Sequence, residues 1–306
     1  MKLGTRIFLI SSVLLLTVFL VGAFQYAQFR WSDQEFIANL TTRLPGYHYS
    51  ISYDSSQTVK VRSIRIDGSE RKVLVLIHGS PSSSQFWEPF LFDSLLLKEA
   101  SMVAVDRPGY GYSNFGEPMV SVKNQAKHIY PILAKLNEEF EQVYLLGSSY
   151  GGTVAARLLM DYPDIADGVV FMSSSLKTGA EKIYWVSYPI RHWLVNWSMP
   201  ETVNVANAEK LSHHQSLKAM EPLWSRIKAK ISVIHGSSDQ LIYPENASFV
   251  KKIIPKELLV NYRLIENRGH DLFWTEREAV KEEVLRMLEI DQPHPMVANQ
   301  TSLEMH

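Results

Sequence analysis

The stretch Gly147-Ser148-Ser149-Tyr150-Gly151-Gly152 constrains this 306-residue chain most, because it joins an apolar strand-like run at 143–146 to a helical pattern carrying Ala155, Ala156, Leu158 and Leu159. A chain that passes from strand to helix this abruptly must turn at Ser149 and hold that serine in a strained backbone conformation. Glycines at 147 and 151 remove side chains that would collide in such a turn. The serine hydroxyl is thereby exposed at the tip. The helix N-terminus beneath it favours developing negative charge, and the Tyr150 backbone N–H is expected to point to where an oxyanion would form. A Gly-x-Ser-x-Gly run alone also fits an ordinary strand–helix turn, so the rest of the chain has to supply its partners.

The flanking pattern predicts an α/β protein with a mostly parallel sheet. Period-2 alternation at 47–53 and 59–66 predicts two early strands. Near-continuous apolar runs follow at 73–77, 102–105, 143–146, 169–172 and 231–234, with another strand pattern in 258–265. Runs that are apolar on both faces belong in a sheet covered on both sides. Helical spacing is present at 84–98, 121–140, 151–162, 245–254 and 274–288. Residues 25–45 read as a polar, aromatic-containing connector. Residues 176–230 are too long for a simple crossover and carry Tyr184, Trp185, Tyr188, Trp193, Trp197 and Trp224, which predicts a small helical lid over the carboxyl edge of the sheet, some of its aromatics facing the site and others gluing it to the body. The core is then 31–175 with 231–290, and the polar tail 291–306 is expected to be disordered.

At the N-terminus, Lys2 and Arg6 precede an uncharged, mainly apolar run at 7–24, and the next charge is Arg30. Eighteen helical residues span about 27 Å, close to the hydrocarbon thickness of a bilayer and longer than most signal-peptide cores. Residues 1–30 therefore read as a membrane anchor with the catalytic body on the exported side. Val21-Gly22-Ala23 keeps open a cleaved signal sequence and a secreted or periplasmic body. The net charge of -1 supplies no basic field for nucleic acid, and the absence of cysteine excludes disulfides, thiolate metal sites and a cysteine nucleophile.

A serine hydroxyl needs a histidine to take its proton and a carboxylate to orient that histidine. Both follow Ser149 in turn-rich loops after strand patterns: Asp239 in His235-Gly236-Ser237-Ser238-Asp239, and His270 in Asn267-Arg268-Gly269-His270. Read singly, Asp239 is equally a turn residue and His270 a surface histidine. The run 73–77 ends in His78-Gly79-Ser80-Pro81, where the Ser80 N–H is the candidate second oxyanion donor, because Pro81 has none. His78 is read as ordering that loop by hydrogen bonds. Asp271 is expected to cap the helix that follows it. His213-His214 lack the spacing of a metal site and read as part of an exposed helix.

In this order the motifs resemble the α/β-hydrolase superfamily over roughly residues 45–290. His78 to Pro81 is similar to its oxyanion loop, Asp106-Arg107-Pro108-Gly109-Tyr110-Gly111-Tyr112-Ser113 to the loop after its next strand, Gly147 to Gly151 to its nucleophile elbow, and Asp239 and His270 to its acid and base. The resemblance implies acyl transfer by Ser149, Asp239 and His270, with Ser80 and Tyr150 as oxyanion donors and with neither cofactor nor metal. The expected substrate is a small, fairly apolar ester or thioester. It gives the 106–113 loop an architectural role, with Tyr110 or Tyr112 as candidate pocket residues. Haloalkane dehalogenase and epoxide hydrolase chemistry is disfavoured, since those relatives carry aspartate where Ser149 stands. A non-enzymatic ligand-binding receptor or scaffold, an aminopeptidase and a carbon–carbon bond hydrolase remain alternatives.

Overall fold

The computed structural model describes residues 3–290 except 27, 57–58, 70, 182–184, 186, 191 and 198, so Tyr184 and the tail at 291–306 lie outside the described residues. Eight strands form one sheet: β1 (Tyr49–Ser56), β2 (Val59–Ile66), β3 (Lys72–Ile77), β4 (Ser101–Val105), β5 (Gln142–Ser148), β6 (Gly168–Met172), β7 (Lys230–Gly236) and β8 (Leu259–Ile265). Their spatial order is β1-β2-β4-β3-β5-β6-β7-β8. The β1–β2 and β2–β4 pairs are antiparallel, and every other pair is parallel.

The unbroken apolar runs have a direct cause. Alternate residues of a strand point to opposite faces, and both faces of the central strands are covered. Val73, Val75 and Ile77 of β3 join one core with the helices Val122–Glu139, Tyr150–Asp161 and Glu245–Ile253. Leu74 and Leu76 enter a second core with Trp87, Phe90, Leu96, Phe273 and Val284 on the other side. Because β3 and β5 are adjacent and parallel, their carboxyl ends bring the 78–81 loop beside the Ser149 turn.

Three local expectations change. The segment at 25–45 is not merely a connector, since Asp33–Arg43 is a helix whose Ser32 and Glu35 form a reciprocal capping box and whose Phe36 and Leu40 are buried. The helix expected over 84–98 is split into Ser84–Trp87, Glu88–Leu91 and Ser94–Glu99, the last begun by an Asp93 cap. The helix expected over 274–288 is divided into Leu272–Thr275 and Arg277–Leu288.

The apolar N-terminal run is helical from Leu3 to Tyr26. Among the described residues no helix is long and apolar enough to cross a membrane. The insertion between β6 and β7 is helical at Ser187–Ile190, Trp193–Asn196 and Glu201–Met220 and ends in a 3₁₀ turn, Glu221–Arg226.

Candidate active site

Ser149 sits between the end of β5 and the start of helix Tyr150–Asp161 with φ 53° and ψ -121°. A positive φ is costly for a residue with a side chain, typically about 1–3 kcal/mol, and the turn is over-determined. Ser149 N donates to Met172 O at 3.0 Å, while Ser149 O accepts from Gly152 N at 3.1 Å and Ser175 N at 3.2 Å. A Cβ at Gly151 would lie 2.2 Å from Ile77 O, and one at Gly79 would lie 2.9 Å from Ser149 Cβ. Both glycines therefore permit the close approach of the 78–81 loop to the serine. Tyr150 is the first residue of its helix, so its N–H has no intrahelical acceptor.

Asp239 lies just beyond β7 and is fully buried. Its Oδ1 accepts from Leu241 N and Ile242 N, both at 2.9 Å, and its Oδ2 accepts from His270 Nδ1 at 2.7 Å. Burial acts to raise this carboxyl. Hydrogen bonding from His235 and His270, the His270 charge and the Ile242 N–H outweigh it and hold Asp239 well below the ordinary carboxylate range. An ionised Asp239 accepts only, so Nδ1 of His270 is the donor of this bond. Ser149 and His270 line the same cavity, with Asp271 beside them. Asp271 stands at the N-cap of Leu272–Thr275, but its side chain makes no capping bond.

The 78–81 loop is held from below. Arg107 N donates to His78 Nε2 at 3.0 Å, which fixes the proton on Nδ1, and that atom donates to Gly79 O at 2.8 Å. Burial and then the neighbouring Arg107 charge push His78 well below its usual range, so it is neutral. Arg107, itself buried, donates from Nε to His78 O at 2.8 Å and from Nη2 to Gly79 O at 3.0 Å and Ser80 Oγ at 2.6 Å. Its counter-ion is Glu209 of the insertion helix, also buried, whose Oε1 accepts from Arg107 Nη1 at 2.6 Å and from Gln125 Nε2 at 2.6 Å. Glu209 Oε2 accepts from Tyr110 Oη at 2.7 Å and from Ser80 Oγ. Arg107 and Glu209 were not expected here, because they stand 102 positions apart in the chain.

Ser149 borders two cavities. The larger, about 510 Å³, is lined by His270 with Phe29, Phe86, Met172, Phe273 and Trp274. The smaller, about 220 Å³, lies under the insertion helix and is mainly apolar, lined by Ile190, Val203, Leu241 and Ile242 with Lys210 and His213 among the polar groups. Neither lining includes Tyr110 or Tyr112, contrary to expectation. Tyr110 is buried against Glu209, and Tyr112 lies under the Arg62 and Arg30 guanidinium groups. The aromatic residues of the insertion match the expectation in part, since one packs against the body while others face solvent. Trp185, Tyr188, Trp193 and Trp197 are 61–80% exposed, and Trp224 packs edge-on against Phe249 in the core. Of the two adjacent histidines only His214 is exposed; His213 is buried against the Tyr150 ring and hydrogen-bonded to Ser175 Oγ at 2.9 Å. Among the described residues no cluster of three His, Asp or Glu could hold a metal ion.

The family model for the alpha/beta hydrolase fold matches residues 72–190. By that match and by the architecture of its sheet, the chain is similar to the α/β-hydrolase superfamily. Over 113 residues it is 31% identical to the mesoderm-specific transcript protein of Mus musculus, a stretch covering 37% of this chain and 33% of that relative. The match thus spans about a third of the relative's length. A bacterial membrane phospholipase A superposes with a TM-score of 0.61 at 18% identity, covering 92% of this chain and 98% of that one. The 2-hydroxy-6-oxo-6-phenylhexa-2,4-dienoate hydrolase of a Rhodococcus strain superposes with a TM-score of 0.62 at 16% identity, covering 80% and 100%. At these identities both likenesses concern the fold.

Proposed function

We propose that this protein is a serine hydrolase that cleaves the ester or thioester bond of a small, fairly apolar substrate through an acyl-enzyme. The observation that carries the reading is the strained Ser149 at a helix N-terminus, sharing a cavity with a His270 that Asp239 holds by a 2.7 Å hydrogen bond. His270 Nε2 takes the Ser149 proton as Oγ attacks the carbonyl carbon. The Ser80 and Tyr150 N–H groups receive the oxyanion. His270 then returns the proton to the leaving oxygen or sulfur, and a water deprotonated by His270 releases the acid and restores Ser149. Since His270 lines only the larger cavity, the leaving group departs there and the acyl group occupies the smaller one. The aromatic lining of the larger cavity suits an apolar leaving group.

Hydrolysis of p-nitrophenyl esters of increasing acyl length, with Ser149→Ala and His270→Ala beside the parent, tests this. Turnover in the parent and its loss in both variants is the expected result. A folded parent that hydrolyses no ester and whose Ser149 resists fluorophosphonate labelling refutes it, and a ligand-binding role of the same pocket then takes its place.

We propose further, from the uncharged, mainly apolar sequence run at 7–24, that the N-terminus anchors the body to a membrane on its exported side. Carbonate washing tests it. The full chain should stay in the membrane pellet, and a chain begun at residue 31 should not.

A further inference from the structure

We infer that Glu209 and Arg107 form a positioning pair for the Ser80 oxyanion donor, so that the seating of the insertion helix sets the geometry of the oxyanion hole. This rests on the acyl-transfer reading above and goes beyond it by giving Glu209, a residue of the insertion, a part in the chemical step.

The carbonyl and N–H of a trans peptide point in opposite directions. Whatever fixes Gly79 O therefore fixes the direction of the Ser80 N–H. Two donors fix it, His78 Nδ1 at 2.8 Å and Arg107 Nη2 at 3.0 Å. The same guanidinium holds His78 O and Ser80 Oγ, so one planar group grips three consecutive residues of the loop. A buried guanidinium without a counter-ion would carry a penalty of several kcal/mol. Glu209 removes that penalty with contacts of 2.6 Å and 3.3 Å to Arg107, and it also reaches Ser80 Oγ directly. Gln125 and Tyr110 complete the carboxylate's shell. Glu209 belongs to the helix Glu201–Met220, which also presents Asn207, Lys210 and His213 to the smaller cavity. A group bound there presses on the element that steadies the oxyanion loop.

One oxyanion donor is worth about 10²–10³ in kcat, and a misplacement of about 1 Å costs about 10²-fold. The test uses the full chain in detergent, with Glu209→Gln and the double variant Arg107→Met/Glu209→Leu. The double variant replaces the buried pair by apolar groups of similar size, an exchange that often preserves stability. Competent sites are counted by fluorophosphonate titration, kcat and KM are measured per titrated site on a p-nitrophenyl ester, and hydrogen exchange is followed in residues 74–90. The expected result is a fall in kcat of about tenfold for Glu209→Gln and about 100-fold for the double variant, with KM within about threefold and faster exchange in the loop. A kcat per site within about twofold of the parent, or activity lost only through fewer titratable sites, overturns the inference and leaves the pair a structural one. If the double variant does not fold, Glu209→Gln carries the same comparison, since it keeps size and an acceptor for Arg107. A parent that neither labels nor turns over refutes the acyl-transfer reading instead. Loop exchange then decides the positioning claim, and unchanged exchange in folded Glu209→Gln refutes it.

Discussion

Asp239 shows how a single carboxylate can be committed. Its two oxygens divide the bonding between them, Oδ1 accepting from two backbone N–H groups of its own turn and Oδ2 from the imidazole. Asp239→Asn keeps the shape and offers an N–H where an acceptor is needed, which favours the wrong tautomer of His270. A loss of about 10⁴ in kcat at near-constant KM is expected, by analogy with the same change in a serine-protease triad; steady-state kinetics with active-site titration checks it. Ser149 gives the complementary case, since its φ of 53° suits glycine. Ser149→Gly should inactivate the protein and raise its stability by about 1 kcal/mol or more, read as a higher urea midpoint. An unchanged or lower midpoint would mean that the turn holds no strain.

Among the elements, the insertion divides its tryptophans between two duties. Trp224→Ala removes a ring buried against Phe249 and should cost about 3–5 kcal/mol, whereas Trp193→Ala, at a position 72% exposed, should stay within about 0.5 kcal/mol. Urea denaturation of the two variants separates them. The eight strands were legible in the sequence because each leaves a local trace, alternation in β1 and continuous burial in the central strands. The turns that hold Ser149, Asp239 and His270 were legible for the same reason, each following a strand directly. The helix Asp33–Arg43 was missed although Ser32 and Glu35 spell its start, because its buried face rests on only Phe36 and Leu40. Arg107 and Glu209 left no trace, since their pairing depends on how the insertion folds back across the sheet. The direction of the aromatic side chains in the insertion was equally non-local, and their number said nothing about which way they face.

For the molecule as a whole, two buried histidines make stability depend on pH. Burial first, then the charges of Lys210, Arg107 and His214, push His213 down to about 3, and His78 is likewise well below the ordinary histidine value of 6.5. The unfolded chain takes up these protons at higher pH than the folded one. Stability is therefore complete above pH 6.5 or so and declines as the pH falls toward 3, by up to about 1.4 kcal/mol per pH unit for each proton bound only by the unfolded chain. Asp239 has the depressed-carboxylate behaviour, so its contribution is present above its unfolded value near 3.8 and is lost below it. Urea midpoints should agree at pH 8 and 7 and drop by pH 5; equal midpoints at 7 and 5 would contradict this. The capped helix Asp33–Arg43 has a mechanical consequence as well. Asp33 is paired at 2.6 Å with the buried Arg62, so the chain is moored to the sheet immediately after residue 32. Only residues 27–32 separate that mooring from the apolar helix, a leash of at most about 20 Å, and Phe29 within it lines the His270 cavity. The short leash therefore keeps the start of the apolar helix within reach of the cavity mouth and limits how far the two can separate.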